Sequence, residues 1–173
     1  MKEIGILEGN KGVISALAFS PDGNYLAAGD VGYFHLCPGS NGNLPFVQSQ
    51  GKIVLFDVKE RKVLLSFIQL CSSLTHSSLF FFHAKTITSR WAFHSARINS
   101  LSWTADSKHC ASGSLDTNVY VWSVAKPMKN IAIKEAGPGG VNAVLWLEGG
   151  KSGKLVSAGA DACARIWEVT FHT

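Results

Sequence analysis

The 173-residue sequence predicts an all-β protein built of repeated blades, each a sheet of four short antiparallel strands. A strand-like segment, in which apolar and polar residues alternate up to a final aromatic residue, occurs three times. Each occurrence is followed by a second strand and then by a third strand that ends in another aromatic residue. Two of these aromatic residues, Trp122 and Trp167, are 45 residues apart, which matches the roughly 40–45 residues of one propeller blade.

The predicted strands occupy corresponding positions in the three repeats. The first strands are residues 14–19, 98–103 and 141–146. The second strands are residues 25–29, 110–113 and 155–159, and the third strands are 53–56, 119–122 and 164–167. A fourth apolar stretch follows in two repeats, at residues 62–65 and 130–133. Short alternating strands of this kind bury one face of a sheet.

The first repeat contains two additional segments, near residues 33–50 and 67–89. The spacing from the first repeat to the second is 84 residues, against 43 from the second to the third. The first segment has no acidic or basic residue, and the second has only Lys85. Two interpretations are open. The segments are either genuine loops or translated intron sequence, which the Phe-, Leu- and Ser-rich composition of 67–89 favours, since pyrimidine-only codons encode these residues. Transcript sequencing across both junctions distinguishes them.

These spacings predict the domain organisation. Blade 1 covers residues 1–66 and contains the insert 33–50, and an irregular insert between blades covers 67–89. Blade 2 covers residues 90–134, and blade 3 covers 135–173. Because propellers close with about four to eight blades, three blades leave two open sides. We therefore expect the chain to be a fragment of a larger propeller.

Composition argues against several functional classes. Sixteen Lys and Arg against twelve Asp and Glu leave a net charge of +4, which is too small to indicate a nucleic-acid partner. The apolar stretches are shorter than the roughly 18–20 residues that span a bilayer, and the first twenty residues lack a signal-peptide pattern. We therefore expect no nucleic-acid partner, no membrane association and a cytoplasmic protein with reduced cysteines.

No catalytic or metal-binding pattern emerges from the sequence. The four cysteines have no metal-ligand spacing, so we expect no metal and no cofactor. Residues 149–152, Gly-Gly-Lys-Ser, lack the earlier glycine of a phosphate-binding loop. His94 could act as a base, and Asp116 and Asp161 could form a carboxylate pair. The two aspartates, however, occupy the same position in successive repeats, which favours structural roles. We therefore expect no enzyme.

The second repeat resembles the WD-repeat family. His94 stands four residues before Ile98, Ser112 and Asp116 follow in the segment Ala-Ser-Gly-Ser-Leu-Asp, and Trp122 ends the third strand. The resemblance implies that His94, Ser112, Asp116 and Trp122 form a hydrogen-bonded tetrad inside the blade. A buried aspartate needs hydrogen-bond donors, and the histidine and tryptophan N–H groups are of the right type.

The other two repeats depart from the tetrad pattern. The first has Asn10 at the histidine position and Gly32 at the aspartate position. The third has Gly137 in place of the histidine but keeps Asp161 and Trp167. Because only blade 2 has the complete set, we expect it to be the best-ordered blade.

A closer resemblance is to the C-terminal blades of the actin-interacting protein 1 family, carried by residues 8–22, 94–103, 111–122 and 161–167. It implies a double seven-bladed propeller, located in the cytoplasmic actin cytoskeleton, that binds actin filaments and promotes their disassembly with cofilin. The alternative hypothesis is a generic WD-repeat adaptor in a ubiquitin-ligase or signalling complex. A filament co-sedimentation assay with and without cofilin separates the two.

Partner-contacting residues are expected in the loops at one end of the blades. The residues just before the three first strands are Val13, Arg97 and Gly140. Of these, Arg97 alone is of a type suited to an interface hot spot. The alternative interpretation of Arg97 is an ordinary solvated arginine. No actin-binding residue can be transferred from the family, because no binding motif matches position by position.

Overall fold

The computed structural model describes residues 7–32, 35–37, 46–48, 51–58, 85–148 and 152–171. These residues form thirteen strands and no helix. The strands are β1 Ile14–Phe19, β2 Tyr25–Asp30, β3 His35–Cys37, β4 Phe46–Gln48, β5 Ile53–Asp57, β6 Lys85–Trp91, β7 Ile98–Trp103, β8 His109–Ser114, β9 Val119–Ser123, β10 Asn130–Ile133, β11 Val141–Glu148, β12 Ser152–Gly159 and β13 Ala164–Thr170.

Eleven of the strands form three antiparallel blades. The strand orders are β1-β2-β5-β6 in blade 1, β7-β8-β9-β10 in blade 2 and β11-β12-β13 in blade 3. Within each blade, strands that follow one another in the chain pair side by side. In blade 1 the separate β3–β4 hairpin lies between β2 and β5 in the chain, and β2 and β5 still pair. The predicted all-β, propeller-blade fold is confirmed.

The fourth strand of blade 1 differs from the prediction. Strand β6, residues 85–91, pairs with β5, although the sequence analysis placed 85–89 in an irregular insert and began blade 2 at residue 90. The structure therefore places the boundary between blades 1 and 2 after Trp91. Burial explains the pairing, because the Trp91 side chain is fully buried and its ring stacks on Trp122 with centroids 5.4 Å apart. The stretch 62–65, predicted for this place, lies outside the described residues, as does the insert up to residue 84.

A separate two-stranded sheet lies within the predicted insert 33–50. Its strands β3 and β4 pair antiparallel between β2 and β5. Asp30 links the chain on either side of the insert, because its carboxylate accepts a hydrogen bond of 2.9 Å from the Lys52 backbone N–H. Closing a loop of this length costs only about 1 kcal/mol more than closing a tight turn, so β2 and β5 pair normally around it.

Each blade buries apolar side chains against the next blade. The cluster between blades 1 and 2 consists of Ala27, Ile53, Leu55, Trp91, Ile98, Trp103, Cys110 and Trp122. The cluster between blades 2 and 3 consists of Ala111, Val119, Val121, Ala136, Val141, Val144, Trp146, Leu155 and Val169. Blade 2 is therefore covered on both faces, and burial of this apolar surface is the main force that joins the blades.

Two glycines set how closely neighbouring blades approach. A Cβ atom on Gly29 would lie 2.8 Å from Ile98, at the start of the first strand of blade 2. A Cβ atom on Gly113 would lie 2.6 Å from Val141, at the corresponding place in blade 3. At both interfaces, therefore, a glycine leaves room for the first residue of the first strand of the following blade.

Replacing Trp91 with alanine tests the assignment of β6 to blade 1. Removing this buried ring and its stacking on Trp122 should lower the free energy of unfolding by about 3–5 kcal/mol, measured by chemical denaturation. The matched control is Met128→Ala, because the Met128 side chain is exposed. This substitution should change the free energy of unfolding by less than about 0.5 kcal/mol. A loss as small as that of the control would contradict the position of Trp91.

Candidate functional site

The residues of the predicted tetrad meet in the interior of blade 2. The Nδ1 atom of His94 lies 2.9 Å from the Asp116 carboxylate, and its Nε2 atom lies 2.8 Å from the Ser112 hydroxyl. The Trp122 indole N–H donates to the same hydroxyl oxygen over 2.8 Å. His94, Ser112 and Trp122 are almost completely shielded from solvent. The four side chains therefore form one continuous hydrogen-bonded chain.

The carboxylate fixes the direction of the donors along this chain. Asp116 accepts only, so the His94 Nδ1–H donates to it. The Nε2 atom then accepts the Ser112 O–H, and the oxygen of that hydroxyl accepts the Trp122 N–H. Every buried polar atom of the tetrad has a partner, which is the condition for placing such groups inside an apolar blade.

Asp116 also ties the turn between β8 and β9 to the loop that precedes β7. Its carboxylate accepts from the Ser95 backbone N–H over 2.9 Å and from the Asn118 N–H over 3.0 Å. Burial raises the pKa of Asp116, but the hydrogen bonds from His94 and from the two backbone N–H groups outweigh burial and hold the pKa below its ordinary value. The carboxylate is thus a fixed acceptor that joins two loops.

Blade 1 replaces the tetrad with a different polar cluster, which the sequence analysis missed. The aspartate position holds Gly32, but Asp30, two residues earlier, is buried and takes over the acceptor role. Its carboxylate accepts from the Asn10 side-chain amide over 3.3 Å and from the Gly32 N–H over 3.0 Å. Asn10 also donates to the Ala28 carbonyl over 3.2 Å. An acidic residue at the end of an otherwise apolar strand was the signal in the sequence.

Blade 3 keeps only half of the tetrad. Trp167 donates to the Ser157 hydroxyl over 2.8 Å, as Trp122 does to Ser112 in blade 2. Without an imidazole at Gly137, nothing connects that hydroxyl to Asp161. The Asp161 carboxylate instead forms an ion pair of 2.6 Å with Arg165, and this pair lowers the pKa of the carboxyl group.

A rim of backbone hydrogen bonds fixes the three positions just before the first strands, which include the candidate partner contact Arg97, at one end of the blades. In each blade the carbonyl just before the first strand accepts an N–H from the turn between the second and third strands. The pairs are Val13 with Val31 at 2.9 Å, Arg97 with Leu115 at 3.0 Å and Gly140 with Ala160 at 2.9 Å.

Among the three rim positions, Arg97 has the side chain best suited to contact a partner. It is exposed, while its backbone is fixed by the Leu115 N–H and the Leu115 side chain beside it is also exposed. Gly51, at the base of the β3–β4 insert, packs directly against the Ala96 carbonyl. The insert therefore leaves blade 1 next to Arg97, and a cation, an apolar side chain and a hairpin are grouped at one end of the molecule.

The described side chains form neither a metal-binding cluster nor the carboxylate pair considered from the sequence. Within residues 7–32, 51–58, 85–148 and 152–171, no three His, Cys, Asp or Glu side chains are placed to hold a metal ion. Asp116 and Asp161 lie in turns of different blades and do not form a pair. Among the same residues, no helix is long and apolar enough to cross a membrane.

Substituting Asp116 and Asp161 separately tests whether the tetrad stabilises the protein. Asp116→Ala leaves the His94 and Ser95 N–H groups unpaired and should lower the free energy of unfolding by about 1–3 kcal/mol. Asp161→Ala, at the same position of blade 3, removes a half-buried ion pair in which no imidazole takes part, and it should cost clearly less. Equal losses in urea denaturation would contradict a special role for the complete tetrad.

The acid stability of the protein gives a second test. Because folding lowers the pKa of Asp116, its contribution is fully present above the ordinary aspartate pKa of 3.8 and is lost as the pH falls through the lower, folded value. Asp116→Asn should therefore flatten the fall of stability below about pH 4, measured by denaturation at a series of pH values. If the free energy of unfolding falls with pH as steeply in Asp116→Asn as in the unsubstituted protein, the prediction is contradicted.

Comparison with known proteins agrees with this architecture. Residues 1–33 and 85–123 match the family described as WD domain, G-beta repeat. The chain is 39% identical over 91% of its length to an uncharacterised WD repeat-containing protein of Schizosaccharomyces pombe, and 31% identical over 91% to actin-interacting protein 1 of Drosophila melanogaster. These alignments cover 19% of each relative, so the chain spans about a fifth of their length.

Solved structures show the same fold at lower sequence identity. The chain superimposes on the RRP9 WD40 repeats with a TM-score of 0.57 and 14% identity, covering 96% of this chain and 41% of that one. It superimposes on a chain of the mitotic checkpoint complex with a TM-score of 0.58 and 18% identity, covering 93% and 37%. The blades, the tetrad and the sequence relatives agree: the chain has the blades of a WD-repeat β-propeller, and its sequence resembles the actin-interacting protein 1 group.

Proposed function

We propose that this chain is part of a non-catalytic interaction scaffold that binds actin filaments and promotes their disassembly together with cofilin. Such a scaffold acts in the cytoplasm, at the actin cytoskeleton. The observation that carries the proposal is the similarity to relatives named actin-interacting protein 1, which extends over all three blades in the Drosophila melanogaster protein and in the 29% identical Arabidopsis thaliana protein.

The polar groups of the blades support binding rather than catalysis. His94, the side chain most suited to acid–base chemistry, is buried and has both ring nitrogens occupied by Asp116 and Ser112. A general base must reach a proton on the substrate, and this imidazole is directed into the blade instead. The tetrad therefore holds loops in place, and we assign partner binding to the surface that those loops form.

The rim at Arg97 is the surface we assign to the filament. Its backbone is held by the hydrogen bond from Leu115, so the side chain projects from a fixed position and loses little backbone freedom on binding. A guanidinium forms bidentate hydrogen bonds with carboxylates, so Arg97 suits a partner surface that presents acidic side chains. The neighbouring exposed Leu115 adds apolar area that binding would remove from water.

Co-sedimentation with actin filaments tests the proposal. The purified chain should pellet with filaments, and with cofilin present it should increase the amount of actin left in the supernatant. Arg97→Ala should weaken binding about tenfold, which corresponds to the loss of more than 1 kcal/mol at an interface hot spot. The matched control is Lys126→Ala, an exposed cation in the connection between β9 and β10 at the opposite end of blade 2, which should leave binding unchanged.

Two outcomes would count against the proposal. If the unsubstituted chain stays in the supernatant at all filament concentrations, actin is not its partner. If Arg97→Ala and Lys126→Ala weaken binding equally, the filament is attracted by net charge alone and the assigned rim is wrong. Salt distinguishes the two cases as well. Binding through net charge alone weakens steeply as salt is added, whereas binding through the Arg97 rim should depend less on salt.

A further inference from the structure

The positive charge of the chain is concentrated in one stretch. Residues 85–134, which form β6 and blade 2, contain seven Lys and Arg against two Asp and no Glu, a net charge of +5. The rest of the chain has nine Lys and Arg against ten Asp and Glu, a net charge of −1. The small net charge of the whole chain therefore combines a basic region with a nearly neutral remainder, and a basic region attracts acidic partners.

The two aspartates of this stretch already have partners. Asp106 forms an ion pair of 3.9 Å with Lys108, and Asp116 is held inside the tetrad. The other described cations of the stretch are exposed and form no ion pair with a described residue. They are Arg90, Arg97, Lys126, Lys129 and Lys134.

Three of these cations meet at the side chain of Met128. Lys126 and Lys129 are the first and last residues of the turn that contains Met128, which is closed by a hydrogen bond of 2.9 Å from the Lys129 N–H to the Lys126 carbonyl. Arg90 reaches this turn from β6 of blade 1, since its Nη1 atom lies 3.4 Å from the Met128 sulfur. The sulfur is only a weak acceptor, so the guanidinium charge is not compensated. These four residues form what we call the basic face.

No acidic residue flanks the basic face along the chain. Between Glu60 and Asp106, and again between Asp116 and Glu135, the sequence contains no Asp or Glu, and these two stretches supply all residues of the face. The positive potentials of the three cations therefore add.

Hydrogen bonds fix the backbone at both parts of the basic face. The Arg90 N–H donates to the Thr88 hydroxyl over 3.1 Å, and the Lys126 N–H donates to the Ser123 hydroxyl over 3.3 Å. The two parts belong to blades 1 and 2, whose apolar contact with each other lies within the chain. The face is thus complete without any further blade, and its fixed backbone lowers the cost of ordering on binding.

We propose that the basic face binds an acidic segment of a partner protein, in which an apolar residue stands among glutamates or aspartates. The Arg90 guanidinium suits a bidentate contact with a carboxylate, and the two lysines add charge beside it. Met128 is 65% exposed and offers a flexible apolar contact to the apolar residue of the segment.

This proposal does not rest on the proposed function. The filament is assigned to the Arg97 rim, whereas the turn from Lys126 to Lys129 lies at the opposite end of blade 2. The two surfaces can therefore be altered separately.

Fluorescence anisotropy with a synthetic peptide tests the basic face. The probe is a short fluorescent peptide of glutamates with two leucines among them, and the whole chain should bind it. Arg90→Glu and Lys126→Glu should each weaken binding at least about tenfold, because each places like charges opposite one another. The matched control is Lys11→Glu, an exposed cation ahead of β1. It changes the net charge equally and should keep the affinity within about twofold. All three side chains are exposed, so the fold should be retained, which circular dichroism checks.

A second peptide, with alanines in place of the leucines, tests the contact of Met128. Met128→Ala should weaken binding of the leucine peptide about threefold and leave binding of the alanine peptide unchanged, since only leucine makes the contact that the substitution removes. Equal effects on both peptides would overturn the apolar part of the proposal.

Four results would overturn the proposal as a whole. The leucine peptide does not bind, a peptide with glutamines in place of the glutamates binds equally well, or Lys11→Glu weakens binding as much as Arg90→Glu. The fourth is that vesicles containing phosphatidylserine bind through Arg90 and Lys126 more tightly than the peptide does, which would make a lipid surface the partner.

Co-sedimentation separates this proposal from the proposed function. Arg90→Glu should pellet with actin filaments as the unsubstituted chain does, even though it no longer binds the peptide. A loss of filament binding in Arg90→Glu would place the filament itself on the basic face and would contradict a separate partner.

Discussion

The mutual burial of neighbouring blades is the constraint on which the rest of this structure depends. A blade is a single sheet with two apolar faces, and it has no interior of its own in which to bury them. Trp103 covers the face of blade 1, and Trp146 covers the face of blade 2, so each interface is closed by one large ring from the following blade. Blade 2 alone among the described blades is covered on both sides, and it carries the complete tetrad.

The polar networks follow from the same burial. Where a hydroxyl and an imidazole are sealed under both neighbours, as at Ser112 and His94, they need partners inside the blade, and Asp116 and Trp122 supply them. Blade 3 has an uncovered face, and there Asp161 pairs with Arg165 near the surface instead. Blade 1 shows that the residue positions can change while the requirement remains, since Asp30 and Asn10 form a shorter link between the same loops.

Alternating apolar residues and repeated aromatic strand ends were sufficient to predict the blades, because burial on two faces imposes both features on every copy. The tetrad was predictable only through the resemblance of the second repeat to the WD-repeat family, which implied that His94, Ser112, Asp116 and Trp122 are hydrogen-bonded. Strand β6 was missed because it follows a charge-poor apolar segment and because residues 62–65 offered an apolar stretch at the expected place of the fourth strand. The pairing of β6 is decided by contacts of Trp91 with another blade, which no local pattern contains. Asp30 was missed because it stands two residues before the aspartate position of the other blades, which Gly32 occupies in blade 1.

Amide hydrogen exchange, compared strand by strand, tests the central claim most directly. If neighbouring blades stabilise one another, exchange should be slowest in β8 and β9 of blade 2, which are covered on both faces, and faster in β1 and in β13, which each border an open face. Equal protection of β1, β9 and β13 would contradict the account, because it would mean that each blade is stable without its neighbours.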